Sequence, residues 1–164
     1  MHELRSERSR LAGYLVVLIG ALGFVVSCFL PYLDYRFLPS QPGPQPGPPS
    51  LYRVIMLSSR TLAERAGGFA YLFAGVATVA WVAIAGIRGT RPWTPFALTA
   101  VTTAWSLTWS GTFIHQASIV GPKEPGYWGL LVSIVVVVVG TVVVWVSSRP
   151  GSRPRLRDQP VPGE

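Results

Sequence analysis

Four long runs of apolar residues, separated by polar segments, dominate the sequence. They extend over residues 11–33, 66–87, 92–114 and 125–148, and none of them contains a charged residue. A helix rises about 1.5 Å per residue, so each run is long enough to cross the roughly 30 Å hydrocarbon core of a bilayer. Strands of soluble proteins rarely exceed about ten residues, which makes buried strands an unsuitable alternative. The pattern predicts an all-α membrane protein, a bundle of four transmembrane helices.

The polar segments complete the division of the chain. In order the parts are an N-terminal tail (1–10), the first span (11–33), a long loop (34–65), the second span (66–87), a turn (88–91), the third span (92–114), a short loop (115–124), the fourth span (125–148) and a C-terminal tail (149–164). The C-terminal tail is rich in proline, glycine and arginine, and this composition is typical of disorder.

The long loop carries the pattern of a β-hairpin. In residues 32–38, Tyr32, Asp34 and Arg36 on one side alternate with Leu33, Tyr35 and Phe37 on the other. Residues 39–50 include six prolines, and residues 51–57 are mostly aromatic, β-branched or otherwise apolar. This predicts two strands joined by an extended, proline-rich tip outside the cytoplasm. Two strands alone are marginally stable in water, so we expect the hairpin to rest on the helix ends, on lipid or on a partner. The candidate partner contacts are Tyr32, Tyr35, Phe37, Tyr52, Val54 and Met56.

Small and hydroxyl-bearing side chains recur at helical spacing in the spans. Helices associate in lipid where small residues let backbones approach. The expected contact stripes are Val16, Gly20, Gly23 and Ser27 in the first span, Ala66, Ala70, Ala74 and Ala77 in the second, and Gly129, Ser133, Val136 and Gly140 in the fourth. The polar face of the third span consists of Thr99, Thr103, Ser106 and Ser110. These hydroxyls either bond back to carbonyls of their own helix or line a polar cavity.

The charge of the chain favours a membrane orientation over a nucleic-acid partner. The net charge is +7, but no basic segment carries interleaved aromatic residues or a recognisable binding motif. The two tails and the 88–91 turn hold nine arginines, whereas the other loops hold four arginines and one lysine. Basic residues accumulate on the cytoplasmic side of a membrane. The sequence therefore predicts a multi-pass cell-membrane protein with both termini in the cytoplasm.

The candidate chemistry is sparse. Ion-coupled transporters and membrane enzymes need titratable groups at depth, and the spans have no charged or histidine side chain in their interiors. Neither a phosphate-binding loop nor a dinucleotide fingerprint occurs. His115 would need Asp34 or Glu64 beside it to form a catalytic group on the outer face, and no spacing requires this. We therefore expect no cofactor, no metal site and no catalytic residue.

The single cysteine, Cys28, leaves one alternative for the first span. Residues 25–28 fit loosely the cleavage box of bacterial lipoproteins, in which Cys28 would carry the lipid. The residues that follow Cys28 are apolar, whereas mature lipoproteins usually become polar at once. This favours a first helix that is retained.

Two short segments carry a resemblance to known proteins. The first span closes in Phe29-Leu30-Pro31-Tyr32, and the last begins with Gly126-Tyr127-Trp128-Gly129-Leu130. With these segments the chain resembles small, largely uncharacterised four-helix integral membrane proteins of actinobacteria. Four helices with a large first outer loop also resemble the claudin-type arrangement. The paired loop cysteines and the Trp-Cys-Cys signature of claudins are missing, so their junction-forming role is not implied.

These observations predict a non-enzymatic accessory or scaffold subunit. Its partners would be the lipid bilayer and other membrane or envelope proteins, or further copies of the chain. One alternative is a small carrier or channel for an uncharged or lipid-like solute that uses the polar face of the third span. A second alternative is an outer-face enzyme that uses His115 with Asp34 or Glu64.

Overall fold

The structure, a computed structural model, is all-helical in the part of the chain that it describes. It describes residues 2–32, 50–53, 61–89, 92–117 and 124–148, with side chains described outside residues 2–6 and 112–117. These residues form four helices and no strand: α1 (His2–Ser27), α2 (Leu62–Ile87), α3 (Thr94–Ala117) and α4 (Pro125–Ser148). The predicted all-α class is confirmed.

Three of the helices are long and apolar enough to span a membrane. They are Glu7–Ser27 within α1, all of α2 and all of α4, among the described residues. α3 is less apolar because eight of its 24 residues are serine or threonine. Three of the four predicted runs thus form helices that are candidate membrane spans by length and composition. A membrane span stays a prediction for the third run, residues 92–114.

The four helices pack side by side around a shared core. α1 and α3 each contact both α2 and α4, and the contact between α1 and α4 is the most extensive. At the centre, the ring of Phe24 lies edge-on to two tryptophans of α3, with ring centroids 4.9 Å from Trp105 and 5.0 Å from Trp109. All three side chains are buried. Edge-to-face aromatic contacts are favourable, so this cluster stabilises the packing of α1 against α3.

The seam between α1 and α4 leaves no room for side chains at several positions. A Cβ atom on Gly20 would lie 2.9 Å from the amide nitrogen of Val137, and one on Gly140 would lie 2.8 Å from the amide nitrogen of Val17. Val17 thus faces Gly140, and Gly20, one turn later in α1, faces Val137, one turn earlier in α4, so the two helices are antiparallel. Such close backbone approach maximises the van der Waals contact that holds helices together in lipid.

The predicted small-residue stripes lie in this seam for α1 and α4 but not for α2. Six of the predicted positions contact the opposite helix across the seam, namely Gly20, Gly23, Ser27, Gly129, Ser133 and Gly140. The stripe predicted for α2 does not form a close seam within the chain, because Ala66, Ala70, Ala74 and Ala77 are exposed, although Ala77 lines a cavity beside α1. The buried face of α2 carries larger side chains, including Leu72, Val76 and Val79.

α1 ends at Ser27, before the predicted end of the first span at residue 33. The carbonyl oxygens of Pro31 and Tyr32 accept hydrogen bonds from the amides of Gly126 at 2.6 Å and Glu124 at 3.3 Å. The first amides of a helix lack partners within the helix. The non-helical chain after α1 therefore supplies acceptors where α4 begins.

The predicted second strand is wrong at its start, because residues 51–53 form a helical turn. Pro31 and Ser50 form a single antiparallel bridge. The amide of Tyr52 donates to the carbonyl of Cys28 at 3.0 Å, and Leu51 is buried. Docking on the helix ends thus overrides the strand preference of the side chains. The rest of the hairpin and its proline-rich tip, residues 33–49 and 54–60, lie outside the described residues.

α2 begins at Leu62, four residues before the predicted span. Thr61 is its N-cap and forms a capping box with Glu64, in which each side chain accepts a hydrogen bond from the other residue's amide. At the opposite end Gly89 has φ of 71°, a left-handed conformation that glycine adopts without strain. Local signals thus define both ends of this helix.

Candidate functional site

An aromatic cluster covers the end of the helix assembly where α1 ends and α2 begins. The Tyr52 ring lies 5.1 Å from Phe29 and 5.6 Å from Phe69, and Phe73 stacks on Phe69 at 6.2 Å between ring centroids. We call these four rings the aromatic end. Because Tyr52 belongs to the loop and the other rings to helices or their ends, the cluster holds the loop on α1 and α2.

The predicted partner-contact residues occupy different positions around the aromatic end. Tyr32 is fully buried, with its ring 5.8 Å from that of Tyr127. Tyr52 is half-buried within the aromatic end. The other four candidates, Tyr35, Phe37, Val54 and Met56, lie outside the described residues. The structure thus places Tyr32 inside the chain's own packing and leaves part of the Tyr52 side chain exposed.

The polar face predicted for the third span points largely away from the core. Thr103 and Ser110 are exposed, and Thr99 is half-buried. Thr99 donates to the carbonyl of Pro95 at 2.9 Å and Ser110 to that of Ser106 at 2.8 Å. These two hydroxyls bond within their own helix, which was the simpler of the two interpretations.

Ser106 differs from its neighbours on that face. Its hydroxyl oxygen is buried and has no hydrogen-bond partner among the described residues, and the same holds for the indole nitrogen of Trp105. Trp105 packs directly on Gly75 of α2, where a side chain would collide with the ring. The indole nitrogen is among the ring atoms that lie against Gly75.

The buried hydroxyls of the core form a separate set that the sequence did not single out. Thr102 lies 3.2 Å from Thr141 of α4 between hydroxyl oxygens, and Tyr14 lies 3.1 Å from Thr94. The hydroxyl of Thr141 also donates to the carbonyl of Val137 at 2.9 Å. One hydroxyl has one proton, so Thr102 is the donor to Thr141. A signal for this existed, because Thr102 lies one turn before Trp105 and shares its inward face.

Charged side chains among the described residues lie only near the two ends of the helices. Glu7, Arg8, Arg10 and Arg88 lie at the end where α1 begins, which we call the arginine end. Arg53, Glu64, Arg65 and Glu124 lie near the aromatic end. The membrane-length stretches between the ends therefore hold a packed, uncharged interior in the described part of the chain.

The residues considered for catalysis or metal binding are not brought together in the described structure. No group of three or more histidine, cysteine, aspartate or glutamate side chains that could hold a metal occurs among the described residues. The side chain of His115 and all of Asp34 lie outside the described set. The carboxylate of Glu64 accepts the amide of Thr61 in the capping box. Cys28 is a buried free thiol.

Comparison with known proteins finds no matching family, no matching curated protein and no matching solved structure. The geometry of the described residues is therefore the basis for any statement about function.

Proposed function

We propose that the chain is a four-span integral membrane protein that acts without catalysis, as an accessory or scaffold subunit for other membrane or envelope proteins. The observation that carries the proposal is the contrast between interior and ends. The interior is filled by tight apolar and aromatic contacts, while the charges and the loop attachment lie at the ends. A protein with this arrangement is suited to presenting its outer loop to other membrane or envelope proteins on a rigid helical base.

Partner contact is assigned to the loop beside the aromatic end. Tyr52 is only half-buried there, and Phe29 is 53% exposed although it packs on Tyr52 and Phe73. Aromatic side chains are enriched where proteins meet, because they bury much area at low entropic cost. The loop residues Phe37, Val54 and Met56 would extend this surface.

The arrangement of the helices supports an orientation with both termini in the cytoplasm. Gly13, near the start of the apolar part of α1, faces Val144 near the end of α4, and Leu11 and Gly86 line one common cavity. The start of α1, the end of α2 and the end of α4 are therefore neighbours at the arginine end. The nine arginines belong to the first residues of α1 and to the segments that directly follow α2 and α4 in the sequence, and basic residues mark the cytoplasmic side.

Site-specific photocrosslinking in native membranes tests the proposal. A photoreactive phenylalanine analogue at Phe37, Val54 or Met56 is expected to give discrete protein adducts, each identified by mass spectrometry. The matched control places the same analogue at Ile19 or Leu22, whose side chains are 66% exposed within the apolar part of α1 and would face lipid. A chain that gives no adduct from any loop position and purifies alone in mild detergent would refute the scaffold role.

A further inference from the structure

Two cavities, which together we call the groove, lie along the seam between α1 and α2. The first, at the arginine end, has a volume of about 390 Å³. Farther along the same seam is a second cavity of about 340 Å³ with an almost wholly apolar lining. Residues that line the second cavity include Leu18, Leu22 and Val25 of α1 and Phe73, Ala77 and Ala80 of α2.

The two cavities lie on the same side of the seam. On α1 the lining residues follow at intervals of three or four, which places them on one face: Leu11, Tyr14, Leu18, Leu22 and Val25. On α2 one face likewise carries Ile87, Ala80, Ala77 and Phe73. From Leu11 to Val25 the two cavities together cover about 21 Å along the helix axis, more than half the roughly 30 Å thickness of a hydrocarbon core.

The rim of the first cavity is basic, whereas its floor is apolar. Arg8 and Arg10 lie on the rim together with Glu7, and Leu11, Tyr14 and Ile87 lie below them. Neither arginine forms an ion pair with another described residue. A guanidinium group presents several donors in a plane and matches the oxygens of a phosphate group. The net charge of the three rim groups is +1, so the rim favours an anion despite the glutamate.

Two close contacts fix the position of the Tyr14 ring, which lines the first cavity. The ring of Tyr14 lies against Gly86, where a side chain on α2 would collide with it. The hydroxyl of Tyr14 is 3.1 Å from that of Thr94 on α3, which holds the ring inward. In the second cavity α2 presents the small residues Ala77 and Ala80 opposite larger side chains of α1. The shape of the groove is therefore set by the side chains through which α1 packs on α2.

We propose that this groove binds one anionic phospholipid, with the phosphate at Arg8 and Arg10 and an acyl chain along the seam between α1 and α2. The positive charge of the rim complements the negative charge of the lipid phosphate, and the uncharged seam is a suitable surface for an apolar acyl chain. The rim also lies at the depth expected for a lipid phosphate, because Arg10 directly precedes the apolar part of α1. The inference rests on the membrane insertion of the proposed function but not on its scaffold role.

Native mass spectrometry of the full-length protein tests the site. The protein is purified in mild detergent and given equal amounts of phosphatidylglycerol and phosphatidylcholine with identical acyl chains. We expect preferential retention of the anionic lipid by about tenfold, since each arginine near an anionic lipid contributes roughly a fivefold factor that solvent exposure reduces. The double variant Arg8→Gln/Arg10→Gln should retain both lipids about equally.

Matched variants separate the groove from general charge effects. Arg53→Gln/Arg65→Gln removes two exposed arginines at the opposite end and should leave the preference unchanged. Ala80→Phe fills the groove and should reduce retention of both lipids, whereas Ala74→Phe changes an exposed position on α2 outside the groove and should not. Circular dichroism of every variant confirms that the helices are retained.

Three outcomes would overturn the proposal. The first is an unchanged preference in Arg8→Gln/Arg10→Gln, and the second is equal retention in Ala80→Phe and Ala74→Phe. The third is displacement of the lipid by inorganic phosphate at millimolar concentration, which would assign the rim to free phosphate. None of these outcomes affects the scaffold role, which the photocrosslinking experiment tests separately. A chain that stays soluble without detergent would instead refute the proposed function itself.

Discussion

At Gly20 the backbones of α1 and α4 approach so closely that one methyl group has no place. A Cβ there would lie 2.7 Å from the Cγ2 atom of Val137 and 3.0 Å from the carbonyl oxygen of Ser133. Part of the obstacle is backbone, which cannot rotate away as a side-chain end can. We expect Gly20→Ala to lower the free energy of unfolding by about 1 to 2 kcal/mol, as overpacking does. Thermal unfolding in detergent, followed by circular dichroism, measures the change.

Gly67 is the matched control for this substitution. It is exposed near the start of α2, with no atom within 4 Å of an added Cβ. Alanine is a better helix former than glycine by about 1 kcal/mol. Gly67→Ala should therefore leave the stability unchanged or raise it slightly. Equal losses in both variants would show that the α1–α4 seam is not as close as described.

The hydrogen bond from Thr102 to Thr141 joins α3 to α4 inside the core. Each hydroxyl can also donate to a carbonyl of its own helix, so that removal of the partner hydroxyl does not leave it without a hydrogen bond. Hydrogen bonds between helices in membranes average about 0.6 kcal/mol and reach about 1.7 kcal/mol. We expect a coupling free energy of about 0.6 kcal/mol from a double-mutant cycle of Thr102→Val and Thr141→Val. Thr78→Val, at an exposed hydroxyl bonded to Ala74, should be nearly neutral.

At the scale of the element, the start of α2 depends on its capping box rather than on buried contacts. Residues 61–67 are all exposed, so the pair of Thr61 and Glu64 is what holds the first turn. Removing an N-cap side chain typically costs about 1 kcal/mol. Thr61→Ala should speed hydrogen exchange of the amides in the first turn of α2 severalfold and leave those around Val79 unchanged. The control is Leu62→Ala, because the side chain of Leu62 is 84% exposed and takes no part in the capping box.

The positions of the helices could be predicted from sequence better than their ends. Long uncharged runs locate α1, α2 and α4 because the bilayer demands about twenty apolar residues. The end of α1 at Ser27 depends on contacts of Pro31 and Tyr32 with the start of α4, which are distant in sequence. The helical turn at residues 51–53 likewise depends on docking against α1. Local patterns contain no information about such contacts.

The faces of the helices were predictable only where packing depends on glycine. In α1 and α4 the predicted stripes found the seam, since close approach excludes larger residues. In α2 the alanines gave the wrong face, because the space beside α2 is filled by Leu72 and valines. In α3 the buried face carries Trp105 and Trp109, and the predicted polar face of hydroxyls lies mostly outside it. Small size alone does not show whether a position contacts lipid or protein.

For the whole molecule, contact between the first and last helices is the main constraint. α1 and α4 are separated by most of the chain, yet they make the most extensive contact among the described helices. The seam repeats from Gly13 beside Val144 to Ser27 beside Gly129. Assembly therefore requires α4 to be made and inserted before α1 has its main neighbour. Substitutions in the seam should impair the whole fold rather than one helix.

A pair of introduced cysteines tests this antiparallel register directly. A Cβ on Gly23 would lie 3.8 Å from the Cβ of Ser133, which is about the mean separation in disulfides. In a Cys28→Ser background, Gly23→Cys with Ser133→Cys should form an intramolecular disulfide on mild oxidation. Mass spectrometry of the linked peptides and migration on a non-reducing gel identify it. Gly67→Cys with Ser133→Cys should remain reduced, because no atom lies within 4 Å of a Cβ on Gly67. A disulfide formed only between copies would show that α1 and α4 contact each other across two chains, and no disulfide at all would refute the register.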